Sequence, residues 1–168
     1  MTILPASAVP ADALREAFNA SFADYLLKFP PFDGAAWQTF LQRQGVDLAM
    51  SRAALRGPVV TAFLLTTPRT HRRTRVSVMG ALPLERGSGV AAHLLDEAIA
   101  DARARGERRL ELEVISTNLR AVALYRGRGF EPVCELHGWR AGPGWPGCRP
   151  WGCRPSAMNT GAIPIRHR

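Results

Sequence analysis

The chain has 168 residues, 46% hydrophobic and 21% charged, enough for one substantial core and one domain. Its formal charge of +8 is almost wholly arginine, since Lys28 is the only lysine. No run approaches the roughly 18 apolar residues of a membrane span, the opening lacks a signal-peptide pattern, and no helix-turn-helix, RNP or zinc-finger pattern accompanies the charge.

A cytoplasmic protein is therefore expected, with no membrane and no nucleic-acid partner. Cys134, Cys148 and Cys153 lack C-x-x-C spacing, which argues against a disulfide framework and a zinc site; no metal is expected. A basic surface would still favour polyanions, among them a nucleotide cofactor with several phosphates.

In chain order, Thr2-Ile3-Leu4 reads as a short edge strand. Leu14, Phe18, Phe22, Tyr25 and Leu26 recur at helical spacing, predicting a helix from Ala11 to Lys28 that Pro30-Pro31 stops. Asp33 can cap a second helix carrying Trp37, Phe40 and Leu41, with Gly45 near its end. Strands follow at Leu48–Leu55, Val59–Thr66 and Thr74–Leu82, the last two joined by a basic loop. A glycine loop, Arg86 to Gly89, leads into a helix from Val90 to Arg105, which presents Leu94, Leu95, Ala98, Ile99 and Ala102 on one face. Leu110–Ile115 reads as a strand, Asn118–Arg126 as a short helix and Phe130–Leu136 as a final strand. The order implies an α/β fold with a mixed sheet and helices on both faces. Residues 1–140 form the expected domain. Residues 141–168, rich in Gly, Pro and Arg, read as a poorly ordered tail in which only Ala162 to Ile165 hints at a strand.

Two constellations carry chemistry. In the first, a strand runs through Ala81-Leu82-Pro83 into the glycine loop and a helix, Arg86-Gly87-Ser88-Gly89-Val90-Ala91. Glycines let the backbone approach a ligand, and the free N–H groups of a helix start favour a phosphate. Taken alone, the loop is equally an ordinary strand–helix turn. The second is Leu112-Glu113-Val114, followed by Asn118, Ala121, Leu124-Tyr125 and Gly129-Phe130. Asn118 and Tyr125 share one helix face, and Glu113 leaves the preceding strand opposite Leu112 and Val114. Spacing alone favours a solvated glutamate and a half-buried core tyrosine.

Together, the two stretches resemble the GNAT superfamily of N-acyltransferases from about Val76 to Phe130. Its Gln/Arg-x-x-Gly-x-Gly/Ala loop is met at Arg86 to Ala91, and the pattern from Leu112 to Phe130 is similar to that of ribosomal-protein N-terminal alanine acetyltransferases. The resemblance implies the GNAT fold and transfer of an acetyl group from acetyl-CoA, as co-substrate, to a primary amine of a small molecule or protein N-terminus. It implies that Ala81 and Leu82 offer backbone groups to the pantetheine arm and the reacting carbonyl. The loop Arg86, Gly87, Ser88, Gly89, Val90 and Ala91 would hold the pyrophosphate, and Asn118 would contact the pantetheine. Glu113 would accept the amine proton and Tyr125 protonate the leaving sulfur. Glu111 lies on the same face as Glu113, and only the family pattern chooses between them. The expected partners are an amine acceptor and, as an assembly, a second copy of the chain. The alternative is a non-catalytic acyl-CoA-binding module, or a truncated or frame-shifted piece of a longer protein.

Overall fold

The computed structural model describes residues 1–25, 30–70 and 72–136, together with a strand at 162–167. The strands are β1 (Thr2–Pro5), β2 (Asp47–Arg56), β3 (Val59–Arg69), β4 (Arg73–Ala81), β5 (Arg109–Ile115), β6 (Phe130–Pro132) and β7 (Ala162–His167). The helices are α1 (Ala11–Phe22), α2 (Gly34–Gln44), α3 (Val90–Ala104) and α4 (Leu119–Arg126). Among the described residues, no helix is long and apolar enough to cross a membrane.

The seven strands form one sheet in the order β1-β2-β3-β4-β5-β7-β6. β1 to β4 form an antiparallel meander, and β4 pairs with β5 in parallel. The parallel step needs a crossover, which the glycine loop and α3 supply.

Each face has its own core. Leu94, Leu95, Ala98 and Ile99 of α3 pack on Leu64, Val76, Leu110 and Leu112, joined by Tyr125 and Phe130. On the other face Phe18 is the hub of an aromatic cluster, with the rings of Phe22, Trp37, Phe32, Phe40 and Phe63 at 4.8, 5.1, 5.3, 5.4 and 5.8 Å. Each such ring buried contributes about 1.5–3 kcal/mol by removal of apolar surface from water. The alternation read from the sequence thus divides Leu112 and Val114 from Glu113 as expected, with the apolar pair in the core.

Several boundaries differ from the sequence reading. The helical spacing through Tyr25 and Leu26 predicts a longer α1, but α1 ends at Phe22 and Tyr25 closes a turn onto the Phe22 carbonyl at 3.1 Å, while residues 26–28 of the expected helix lie outside the described residues. Asp33 does cap α2, accepting from the Ala36 N–H at 2.8 Å, and Gly45 ends it in the left-handed region. β3 and β4 extend through most of the expected basic loop, because backbone pairing down to Arg69↔Arg73 satisfies the peptide groups. The final strand shortens to Phe130–Pro132.

The largest difference lies at the end of the chain. β7 comes from within the expected tail and enters the sheet between β5 and β6, pairing with both antiparallel. For those residues, a domain boundary at 140 does not hold. A short strand with little periodicity of its own gains its order from two neighbouring ladders. The rest of the expected tail lies outside the described residues.

Candidate active site

The β4–β5 ladder stops at Val76↔Leu112, although β4 continues to Ala81 and β5 to Ile115. The cause is visible on the other edge of β4. Its register against β3 shifts between Leu65↔Val78 and Thr66↔Val76, leaving Ser77 as an extra residue. Such a bulge bends a strand and ends pairing on the far side. The two strands diverge, and an open cleft of about 910 Å³ lies between them.

The splay answers a geometric question left by the sequence. Tyr125 belongs to the α3 face of the sheet and Glu113 to the opposite face, yet both line this cleft because the gap between the strands opens onto both sides. Tyr125 is buried, 7% exposed, while the Glu113 side chain is 42% exposed and ion-paired with Arg75 at 3.0 Å. Burial, with a smaller contribution from the nearby Tyr25, pushes the Tyr125 phenol well above its ordinary value. It therefore remains protonated at neutral pH. Tyr25 lines the same cleft, so the only two tyrosines of the chain converge there. Tyr25 was read from the sequence only as part of a helix face, and no sequence motif marks it.

The glycine loop closes one end of the cleft. Gly87 and Gly89 have φ of 87° and 89°, and Gly89 caps α3. A Cβ on Gly89 would meet nothing within 4 Å. The backbone there faces empty space, as a cradle for a ligand requires. Arg120 of α4 reaches the loop from below, its Nη2 lying 3.0 Å from where a Cβ on Gly87 would be.

The other expected loop residues divide. Gly87, Gly89 and Ala91 line the cleft. Arg86 also lines it, but its guanidinium is engaged by Asp24 at 2.6 and 2.7 Å and by the Ser21 carbonyl at 2.9 Å. The Ser88 hydroxyl donates to the Glu85 carbonyl at 2.7 Å, and Val90 is buried in the core beneath the loop. Neither Ser88 nor Val90 lines the cleft.

Leu82 requires a correction. Its N–H donates to the Thr61 carbonyl at 2.9 Å, toward β3, so it has no free donor for the cleft. Backbone groups alternate along a strand, which turns those of Ala81 and Met79 toward the open edge of β4, and both residues line the cleft. Met79 was missed because its position follows from hydrogen-bond phase, which side-chain identity does not encode. Gly80 between them is fixed by packing, since a Cβ there would lie 2.7 Å from the Phe63 ring.

On the far wall, the Asn118 side-chain oxygen Oδ1 accepts from the Ala121 N–H at 3.2 Å, capping α4. Its amide nitrogen is the donor that remains for a ligand, and Asn118 lines the cleft. The assembled site thus offers backbone donors at the β4 edge and a helix start with two left-handed glycines. It adds a neutral phenol and a carboxylate. A thioester held in the gap would have a donor set for its carbonyl on one side and a proton source on the other.

Comparison with known proteins bears on the family and the fold. The profile of the acetyltransferase (GNAT) family matches residues 11–130. A 58-residue stretch is 45% identical to mycothiol acetyltransferase from Beutenbergia cavernae, covering 34% of this chain and 20% of that protein. The matched stretch therefore spans about a fifth of that relative's length. The fold is similar to that of ribosomal-protein-alanine N-acetyltransferase from Brucella melitensis, at 20% identity and a TM-score of 0.71 over 99% of this chain and 98% of that one. It is also similar to yncA from Salmonella typhimurium, whose structure holds its cofactor acetyl-CoA, at 18% identity and a TM-score of 0.70 over 99% and 92% of the two chains.

Proposed function

The chain belongs to the acetyltransferase (GNAT) family, and we propose that it transfers an acetyl group from acetyl-CoA to a primary amine by direct attack on the thioester. The observation that carries this reading is the gap between β4 and β5, walled by Glu113 on one face and Tyr125 on the other and closed by the glycine loop.

Acetyl-CoA supplies the activated acyl group. The N–H groups at the start of α3 and at Gly87 and Gly89 bind the pyrophosphate, assisted by the partial positive charge of the helix start. The open edge of β4 at Ala81 pairs with the pantetheine amides as a strand would. The Met79 N–H, on the same edge, donates to the acyl oxygen as negative charge develops there. Asn118 fixes the pantetheine from the opposite wall.

Glu113, on the exposed side of the gap, accepts a proton from the incoming ammonium, so that the nucleophile is the neutral amine. Its ion pair with Arg75 orients the carboxylate. Tyr125, on the buried side, gives its proton to the departing sulfur, and burial keeps the phenol neutral and so able to donate. Proton entry and exit are thereby separated by the sheet itself.

The test begins with thermal denaturation in the presence of acetyl-CoA, which must stabilise the fold by mass action. A panel of small amines and peptides is then followed by release of free thiol. Stabilisation without thiol release from any amine would favour the acyl-CoA-binding module over the enzyme. No stabilisation would remove both.

A further inference from the structure

The face of the sheet that carries Glu113 continues away from the cleft as a ladder of charges. Arg69, Arg73 and Arg109 are direct partners across three adjacent strands, Arg69↔Arg73 in the antiparallel pair and Arg73↔Arg109 in the parallel one. One row nearer the cleft, Arg75 stands opposite Glu111. Strand alternation puts Glu113 on the same face, one row further. Two glutamates are bridged by the arginines of the next row, Glu113 by Arg75 at 3.0 Å and Glu111 by Arg73 at 3.8 Å.

The ladder is unbalanced at its far end. Across β3, β4 and β5 four arginines face two glutamates, and among the described residues neither Arg69 nor Arg109, both exposed, has an ion pair. Like charges directly opposite each other on a sheet destabilise it. A row of three guanidiniums is therefore retained at a cost that a bound anion would remove. Guanidiniums are also the side chains best shaped for paired hydrogen bonds to carboxylate or phosphate.

We infer that the Arg69–Arg73–Arg109 row anchors an anionic group of the acceptor, whose amine reaches Glu113. The inference rests on the proposed transfer for the identity of the bound molecule, though not for the anion site itself. Glu113 and Arg109 are four residues apart on β5, about 13 Å at roughly 3.3 Å per residue. An extended peptide covers that distance in about four residues. The acceptor class is thus a zwitterion with its ends well separated: an amino terminus followed, about four residues on, by carboxylate or phosphate side chains. The positive end meets Glu113 and the negative end the arginine row, which sets the direction of entry.

The test uses two C-terminally labelled peptides, Ala-Gly-Gly-Glu-Glu and Ala-Gly-Gly-Gln-Gln, with binding to the full chain read by fluorescence anisotropy. The acidic peptide should bind at least about tenfold more tightly, a difference of 1.4 kcal/mol, and the preference should fall as ionic strength rises. The paired substitution Arg73→Gln with Arg109→Gln should abolish the preference while leaving stabilisation by acetyl-CoA intact, which also shows that the variant folds. Inorganic phosphate should compete with the acidic peptide, and a small amine bearing one carboxylate near its nitrogen should not bind preferentially. Discrimination between the peptides without acetylation of either would support the anchoring site and count against the transfer reading. Equal affinity for the two peptides, or a preference that survives both substitutions, overturns the site.

Discussion

The Arg86 guanidinium grips the Asp24 carboxylate through hydrogen bonds of 2.6 and 2.7 Å, which ties the turn after α1 to the first residue of the glycine loop. These hydrogen bonds raise the Arg86 pKa above its already high ordinary value, so the guanidinium stays charged at any accessible pH. The family motif places a glutamine or arginine here, and the sequence assigned it to the cofactor. In the structure its side chain serves the wall of the cleft and its N–H donates to the Pro83 carbonyl at 3.3 Å, so neither is free to meet a phosphate.

This gives the first prediction. Both side chains are substantially exposed, 32% for Arg86 and 57% for Asp24, so the pair contributes little to stability, less than about 1 kcal/mol. Asp24→Ala should therefore leave the Tm within about 2–4 °C. It should nonetheless weaken acetyl-CoA binding by about 3–10-fold, because a loop no longer held in place must be ordered on binding. Calorimetric titration measures this, and an unchanged Kd would show that the loop is set by its own backbone alone.

Gly89 is the sharper probe of the loop. Its φ of 89° is unfavourable for any β-branched residue, and its missing Cβ faces the empty cleft. Gly89→Val should both strain the turn and fill the cradle, lowering acetyl-CoA affinity at least about tenfold, or 1.4 kcal/mol. A folded variant with wild-type affinity for acetyl-CoA would place the pyrophosphate elsewhere.

The end of the chain carries a prediction opposite to the one its composition suggests. A Gly/Pro-rich tail buries little, and its loss should be silent. β7, however, lies between β5 and β6, and removing 162–167 would expose two strand edges at once. We expect that deletion to cost about 3 kcal/mol or more, roughly 10 °C in Tm by calorimetry. A melting curve that overlays that of the full chain would show that the sheet is complete at β5.

How much of this was legible beforehand depends on the kind of signal. The core faces of α3 and β5 were readable because Leu94, Leu95, Ala98 and Ile99 recur at helical period and Leu110, Leu112 and Val114 at strand period. The caps at Asp33 and Asn118 were readable because a side-chain oxygen before a helix has one obvious use. The splay of β4 from β5 was not, since the bulge at Ser77 is a matter of register between strands. The same register decides that Met79, rather than Leu82, faces the cleft. The convergence of Tyr25 on Tyr125 and the row of three arginines are likewise products of pairing between distant segments, and no local pattern announces either.

Tyr125 separates catalysis from binding. Burial raises its pKa in the folded chain above the unfolded value of about 10. The sign follows from linkage: folding favours the neutral phenol, so this contribution is fully present below pH ~10 and is lost as pH rises through the folded value. Tyr125→Phe keeps the ring and its packing on Phe130, at 6.0 Å between centroids, and removes the titration. The variant should match the parent in stability at neutral pH and lose less of it on the alkaline side, as urea unfolding at a series of pH values would show. Turnover should fall by about 10²-fold, the scale of a lost general acid, with acetyl-CoA affinity almost unchanged because the ground-state thioester needs no proton. Glu113→Gln should also slow the reaction, but its defect should shrink at high pH, where the amine loses its proton unaided, whereas that of Tyr125→Phe should persist. If Tyr125→Phe turns over normally on an acceptor that the parent uses, the sulfur takes its proton from elsewhere. Tyr25, the other phenol in the cleft, is then the first residue to substitute.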